Sequence, residues 1–220
     1  KYFYFCIYVS NILKSFEVVH NDMHLNNIIY DKQGHFHLID FGLALNLDKV
    51  YVDQENKKIN YSYLMGVLND QNLKWVASSI EHHILNHFIF LRQPLTSDKL
   101  MDIVDGYYET FEKKPWILGI EDYKTYKTEV YDYYYELFVN DISIDKHIAA
   151  IIFKSTFTWD IYRASLTCLN VIEYFKEEIK VSSFNIDEFT KVLQNCLHYN
   201  YGLRPKSERL LTTISSMSLL

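Results

Sequence analysis

Apolar side chains recur at helical spacing near the start of the chain, and the pattern then shortens to that of strands. The apolar positions of the first segment are Phe5, Val9, Ile12, Leu13 and Phe16. Their spacing predicts a helix over about residues 5–16. Residues 27–30 and 36–39 are short apolar runs on either side of a polar turn that ends in Gly34, which predicts a small β-hairpin.

Beyond the hairpin the pattern is helical to the end of the chain. Two apolar stripes define its first half: Leu73, Val76, Ile80, Ile84 and Phe88, then Leu100, Val104, Tyr107 and Phe111. Further helices are predicted at about residues 121–138, from Asp145, and at 159–178, 187–198 and 207–217. Thr96 or Ser97, Asp187 and Ser207 are the expected N-caps. The polar stretch 46–60 is predicted to be an irregular linker.

These patterns, with the length and composition, predict a single soluble domain of the α+β class that is mostly α. Of the 220 residues, 49% are apolar and 23% are charged, as is usual for globular proteins. The net charge is −6, and no run of Lys or Arg supplies the clustered positive charge that a nucleic-acid surface needs. Nucleic acid is therefore not expected as a partner.

Cysteine usage and hydropathy predict a cytoplasmic protein without a membrane span. Cys6, Cys168 and Cys196 are far apart and form no C-x-x-C pair, so neither a disulfide framework nor a zinc ribbon is indicated. No stretch reaches the eighteen or so apolar residues of a membrane span, and the apolar start lacks the small-residue cleavage site of a signal peptide. The abundance of Lys, Asn, Ile, Tyr and Phe is typical of an A+T-rich genome, such as that of a large DNA virus or a protist. For a virus the location would be the host cytoplasm or the virion.

Two short motifs flank the predicted hairpin. Residues 20–27 read His-Asn-Asp-Met-His-Leu-Asn-Asn, and residues 38–42 read Leu-Ile-Asp-Phe-Gly. Together they resemble the H-x-D-x-x-x-x-N and D-F-G motifs of the protein-kinase-like superfamily. The helix before the first motif and the hairpin between the two fit the C-terminal lobe of that fold. The resemblance implies an ATP- and Mg²⁺-dependent phosphotransferase.

The resemblance assigns the chemistry to three side chains. Asp22 would be the catalytic residue, which orients the attacking hydroxyl and accepts its proton. Asn27 and Asp40 would be the metal- and cofactor-binding residues, because amide and carboxylate oxygens are hard ligands suited to Mg²⁺. The metal would bridge the phosphates of ATP.

Five further residues would support the site. Gly42 would permit the backbone turn that lets Phe41 pack inward while Asp40 faces the site, and His20 would pack against Phe41. Residues 158–162 (Thr-Trp-Asp-Ile-Tyr) resemble the start of the central helix of the lobe, in which Asp160 would hydrogen-bond the backbone of the catalytic loop. Residues 201–205 (Tyr-Gly-Leu-Arg-Pro) resemble the loop whose arginine, here Arg204, pairs with the glutamate of an A-P-E motif.

The chain also departs from the family pattern. Asn21 replaces the arginine before the catalytic aspartate, which argues against control by a phosphorylated activation loop bound to that arginine. His24 replaces the lysine two residues after the aspartate, as in aminoglycoside- and choline-kinase-like relatives. About 117 residues separate Gly42 from Asp160, so a divergent helical insertion is expected over residues 46–150 of the 1–220 lobe. No A-P-E is legible, and Ser79-Ile80-Glu81 is the best substitute.

Three functions remain open from the sequence. The D-F-G surroundings favour a serine/threonine protein kinase whose partner is a protein substrate with a Ser or Thr hydroxyl. His24 favours a small-molecule kinase of the aminoglycoside or choline type. A pseudokinase or binding scaffold is the third alternative. Because no glycine-rich loop or strand lysine is present, the nucleotide-gripping N-lobe is expected to be absent from this sequence and to be a missing partner of the site.

Two other groups of residues have simpler interpretations. His83 and His87 lie one helical turn apart, which suits zinc, but without a third ligand a polar helix face is the preferred interpretation. Four tyrosines lie close together in the predicted helix 121–138: Tyr131, Tyr133, Tyr134 and Tyr135. A packed helix face explains them better than a phosphorylation site or a stacking platform.

Overall fold

The computed structural model describes residues 1–68, 78–139, 141, 143–175 and 185–217, with only the backbone of residue 110. The helices in these ranges are α1 (Tyr2–Ser15), α2 (Tyr61–Val67), α3 (Ile80–Asn86), α4 (Ser97–Glu112), α5 (Tyr123–Phe138), α6 (Ile144–Ser155), α7 (Trp159–Tyr174), α8 (Ile186–Cys196) and α9 (Ser207–Ser216). The strands are β1 (Val18–Val19), β2 (Ile28–Tyr30), β3 (Phe36–Leu38), β4 (Leu45–Asn46), β5 (Tyr51–Asp53) and β6 (Lys58–Ile59). The prediction of a mostly α member of the α+β class is confirmed.

The described strands form three small antiparallel pairs. Strands β2 and β3 make the predicted hairpin, with Ile28 opposite Leu38 and Tyr30 opposite Phe36. Strand β1 pairs with β4, and β5 pairs with β6. The prediction of an irregular linker over 46–60 is therefore wrong. Its strands have only two or three residues, too few for an alternating pattern to be visible in the sequence.

The positions of the helices agree with the predicted apolar stripes better than their N-terminal residues agree with the predicted N-caps. Leu73 and Val76 lie outside the described residues, and α3 begins at Ile80. Thr96 caps α4 as expected, since its hydroxyl accepts a hydrogen bond from the amide of Lys99.

Asp187 and Ser207 are not the N-caps that the sequence predicted. Asn185 caps α8 through the amide of Glu188, and Lys206 occupies the cap position of α9. The Ser207 hydroxyl instead donates to the side-chain oxygen of Asn11. A contact between distant helices thus replaces the local bond that the pattern suggested.

Helix α7 lies at the centre of the packing. Its first half is buried, and α7 packs against α1 on one side and α8 on another. Helix α1 also packs against α9, and α4 against α5. The loop of residues 20–27 directly follows α1 and β1. The packing of α1 against α7 and α9 therefore positions this loop. Within the described ranges, none of the helices is long and apolar enough to cross a membrane.

Candidate functional site

A buried carboxylate from α7 holds the backbone of the loop that follows β1. The two oxygens of Asp160 accept hydrogen bonds from the amides of His20 at 2.9 Å and Asn21 at 2.8 Å. Burial raises the pKa of Asp160, while the hydrogen bonds from these two amides oppose the shift. Two buried amides are thereby satisfied by a single side chain, which fixes the start of the loop.

The His20 ring joins the same loop to the segment after β3. Its Nδ1 accepts a hydrogen bond from the amide of Asp22 at 3.3 Å, and its Nε2 lies 2.9 Å from the carbonyl oxygen of Ile39. A ring with one proton, on Nε2, satisfies both contacts. The ring also meets Phe41 edge to face, with 4.8 Å between the centroids. His20 thus contacts Phe41, as the sequence predicted.

Asp22 is held through both of its carboxylate oxygens. Its Oδ1 accepts a hydrogen bond from Nη1 of Arg163 at 3.0 Å, and its Oδ2 accepts one from Nδ2 of Asn27 at 2.9 Å. The Nε2 of His24 lies 3.4 Å from the same Oδ2. The carboxylate remains 20% exposed, so it is fixed in direction and still reachable from solvent.

Asn27 links Asp22 to the base of the hairpin. Its Nδ2 donates to the backbone carbonyl of Asp22 as well as to the carboxylate, both at 2.9 Å. Its backbone carbonyl accepts a hydrogen bond from the amide of Ile39 at 2.9 Å. Because the side-chain amide uses its nitrogen for both bonds, its oxygen is left on the other side as a candidate metal ligand.

Asp40 follows Ile39, whose backbone groups are bonded to His20 and Asn27. The Asp40 side chain is exposed, and its Oδ1 accepts a hydrogen bond from the amide of Gly42 at 3.2 Å. The positive φ of this turn, 61°, belongs to Asp40 and not to Gly42. A Cβ at Gly42 would lie 3.1 Å from that same Oδ1, so a larger residue there would require a small shift of the Asp40 side chain.

The predicted inward packing of Phe41 is only partial. Its ring rests against His20 but remains 48% exposed. The structure thus bonds Asp22 and Asn27 to each other and connects Asp40 to Asn27 through the backbone of Ile39. Asn27 and Asp40 offer one amide oxygen and one carboxylate, a donor set that fits Mg²⁺, which takes few protein ligands and completes its shell with water or phosphate.

Asn21, in place of an arginine, binds neutral backbone groups. Its Nδ2 donates to the carbonyl of Leu43 at 3.3 Å and to that of Val67 at 3.2 Å. The residue is buried with a φ of 59°, a conformation that Asn tolerates better than most residues. Its amide therefore joins the loop to both ends of the segment 43–67.

Glu81 and Arg204 form a buried ion pair behind the site. The Arg204 guanidinium donates from Nη1 to Oε1 of Glu81 at 2.5 Å and from Nη2 to Oε2 at 2.9 Å. The Trp159 indole and the Tyr134 hydroxyl donate to the same carboxylate. Burial disfavours the charged guanidinium, but the adjacent Glu81 carboxylate outweighs it and raises the pKa of Arg204. Arg204 thus pairs with the glutamate of Ser79-Ile80-Glu81.

Arg163 is the functional candidate that the sequence motifs did not reveal. It lies one turn after Asp160 in α7, and this i, i+3 spacing places both side chains on the face beneath the loop. The only sequence signal was a pair of opposite charges at helical spacing in the first half of α7. That signal is weak, because the partner of Arg163 lies 141 positions away in the sequence.

The histidines of α3, together with His87 directly after it, are polar residues in a buried environment. His82, His83 and His87 are each less than a tenth exposed. Burial, followed by the nearby charge of Arg163, lowers the pKa of His82 well below its usual range. Within the part of the chain that the structure describes, no three His, Cys, Asp or Glu side chains converge as a metal site would require.

The tyrosines of α5 pack against the core and against each other. Tyr134 is fully buried, and Tyr133 contacts both Tyr134 and Tyr199 edge to face. Tyr131 stands at the surface side, where its hydroxyl bonds the side chain of Ser97. The interpretation as a packed helix face agrees with these contacts.

Comparison with known families gives one match. The ABC1 atypical kinase-like domain matches residues 3–77, which is about a third of the 220 residues. The matched stretch contains α1, the loop 20–27, the hairpin and residues 40–42. No curated protein and no solved structure matches the chain. The match supports a place in the protein-kinase-like superfamily. The protein is accordingly a kinase-like phosphotransferase or a pseudokinase.

Proposed function

We propose that the protein transfers the terminal phosphoryl group of ATP, with Mg²⁺, to a serine or threonine hydroxyl of a protein substrate. The observation that carries this proposal is the hydrogen-bonded network that joins Asp22, Asn27 and the backbone directly before Asp40. Asp22 and Asn27 are hydrogen-bonded to each other, and the residue before Asp40 is bonded to Asn27 and His20. This arrangement serves phosphoryl transfer, which asks the protein mainly to position groups and offset charge.

The proposed roles follow from the surroundings of each residue. Asp22, held at both oxygens yet partly exposed, would orient the acceptor hydroxyl and take its proton. Asp40, exposed at the end of the hairpin, and the side-chain oxygen of Asn27 would hold the metal. When bound, Mg²⁺ neutralises developing negative charge on the phosphates. His20 and Asp160 would keep the loop in place.

A protein acceptor is favoured over a small molecule by the ion pair behind the site. The protein-kinase resemblance implies a pair between an A-P-E glutamate and the later arginine, and Glu81 and Arg204 make such a pair. We propose residues 40–81 as the activation segment. The helical insertion, expected over 46–150, would then lie mainly after Glu81.

The deciding experiment is a radiolabelled-ATP assay of the full-length protein against mixed protein and small-molecule acceptors. Asp40→Ala should abolish metal-dependent transfer, and Asp22→Asn should lower kcat by about 10²–10⁴-fold. Asp98→Ala, which removes an exposed carboxylate at the start of α4, is the matched control and should keep the wild-type rate.

Each other outcome points to one alternative. Label on small molecules alone would replace the protein acceptor by a small-molecule one. Normal rates in both site variants of an active protein would overturn the roles of Asp22 and Asp40. No transfer by the wild-type protein, whatever the acceptor, would favour a pseudokinase.

A further inference from the structure

We infer that Arg163 is a positioning residue for the reaction, one that fixes the Asp22 carboxylate in the direction needed by the acceptor hydroxyl. This inference rests on the proposed function. It deepens that proposal by adding a charged residue from α7 to the site, where the motifs of the loop supply none. His24 occupies the position at which protein kinases have a lysine. Among the described residues, the arginine or lysine that forms an ion pair with Asp22 is therefore Arg163.

The contact between the two side chains is close and sheltered. Nη1 of Arg163 lies 3.0 Å from Oδ1 of Asp22, and the arginine side chain is only 6% exposed, against 20% for the aspartate. A sheltered ion pair is screened less by solvent and salt than a surface pair. The carboxylate keeps access to substrate while its cation lies behind it, too enclosed to touch the substrate itself.

A second bond sets the plane of the guanidinium. Nη2 of Arg163 donates to the hydroxyl of Ser78 at 2.7 Å. Because the guanidinium is planar and its donors form a rigid fork, two partners on different nitrogens fix its orientation as well as its position. Ser78 lies three residues before Glu81, so the same arginine connects the loop of Asp22 to the segment that ends at the buried ion pair.

Helix α7 therefore fixes both the backbone of the loop and the side chain of Asp22. Asp160 bonds the backbone amides of residues 20 and 21, and Arg163, one turn later, bonds the side chain of Asp22. Backbone restraint alone leaves a side chain free to rotate. The guanidinium removes that freedom at Oδ1, while Asn27 holds Oδ2. Small misplacements of a reacting group cost about 10²-fold in rate, so this restraint should be visible in kcat.

The test is a double-mutant cycle on the full-length protein, with ATP and the acceptor found in the assay above. Arg163→Met should lower kcat by about 10–100-fold and leave the KM for ATP within about twofold of wild type. In the Asp22→Asn background the same change should lower kcat no further, because both residues act through one carboxylate. Arg163→Lys should recover part of the rate, and it replaces Arg163→Met in the cycle if that variant does not fold. Arg209→Met, an exposed arginine of α9, is the matched control and should behave as wild type.

The outcomes separate this inference from the function on which it rests. Equal losses from the Arg163 change in both backgrounds would mean a general structural role and would overturn the inference. Wild-type kcat in the Arg163 variants, with Asp22→Asn and Asp40→Ala inactive, would overturn the inference and leave the proposed function intact. Absence of phosphoryl transfer from the wild-type protein would overturn both.

Discussion

The carboxylate of Glu81 receives two hydrogen bonds from the guanidinium of Arg204, across 123 positions of the chain. Both side chains are almost completely buried, at 0% and 1% exposure. Trp159 and Tyr134 donate to the same carboxylate, so four elements of the fold meet at one buried charge. The end of the proposed activation segment is thereby attached to the core.

The first prediction concerns the stability that depends on this pair. Arg204→Met should lower the free energy of unfolding by about 3–5 kcal/mol, because the Glu81 carboxylate would remain buried without its cation. Urea denaturation of the wild-type and variant proteins measures the difference. The double variant Arg204→Met with Glu81→Leu should regain part of the loss, since it leaves no buried charge behind. A loss below about 1 kcal/mol in the single variant would contradict the prediction.

The second prediction concerns Asn21 and the segment 43–67. Asn21→Gly should speed amide hydrogen exchange near Leu43 and Val67, because it removes the side-chain amide that binds both carbonyls. Glycine accepts the positive φ of 59° at this position, so the change leaves the backbone unstrained. Hydrogen exchange followed by mass spectrometry gives the answer. Asn26→Gly, at an exposed position nearby, is the control and should leave exchange in this segment unchanged, and an unaltered rate in Asn21→Gly would refute the role of the amide.

The third prediction is a loss of stability in mild acid. Burial lowers the pKa values of His82, His87 and His198 below the usual 6.5. A histidine with a depressed folded pKa binds fewer protons in the folded state than in the unfolded state. The free energy of unfolding should therefore fall as the pH drops below about 6.5, with His82 contributing up to about 1.4 kcal/mol per pH unit.

The contribution of His82 is separable by mutation. Its ring packs against Trp159 with 4.7 Å between the centroids, so His82→Phe keeps an aromatic ring and removes the titrating group. Urea midpoints measured between about pH 5.5 and 7.5 should fall less steeply on acidification in the variant than in wild type. Identical slopes would show that His82 takes up its proton in the folded protein.

The sequence predicted the parts of the site that are local in the chain. The spacing of Asp22, Asn27 and Asp40 around the hairpin is legible because β2 and β3 are neighbours and their turn carries Gly34. The helices could be predicted because their apolar residues recur every three or four positions, a pattern that is local in the sequence.

The parts of the site and the fold that depend on contacts between distant residues could not be predicted from the sequence. Arg163 carries no motif, and its bond to Asp22 exists only because α7 passes beneath the loop. The backbone turn was attributed to Gly42 by residue type, whereas the residue with positive φ is Asp40, which follows the hydrogen-bonded Ile39. The two-residue strands β1 and β4 are likewise too short to predict, and each exists because the other lies alongside.

The packing of α1 against α7 and α9 bears on the order in which a nascent chain can become functional. The ribosome makes the loop of residues 20–27 before α7, yet the carboxylate that fixes its backbone belongs to Asp160 and the cation bonded to its aspartate belongs to Arg163. During synthesis the loop therefore lacks these two contacts until more than half of the described chain has followed it. A truncated product that stops before α7 would carry both sequence motifs and neither of their anchors, so the motifs come together as a site only after α7 has been made.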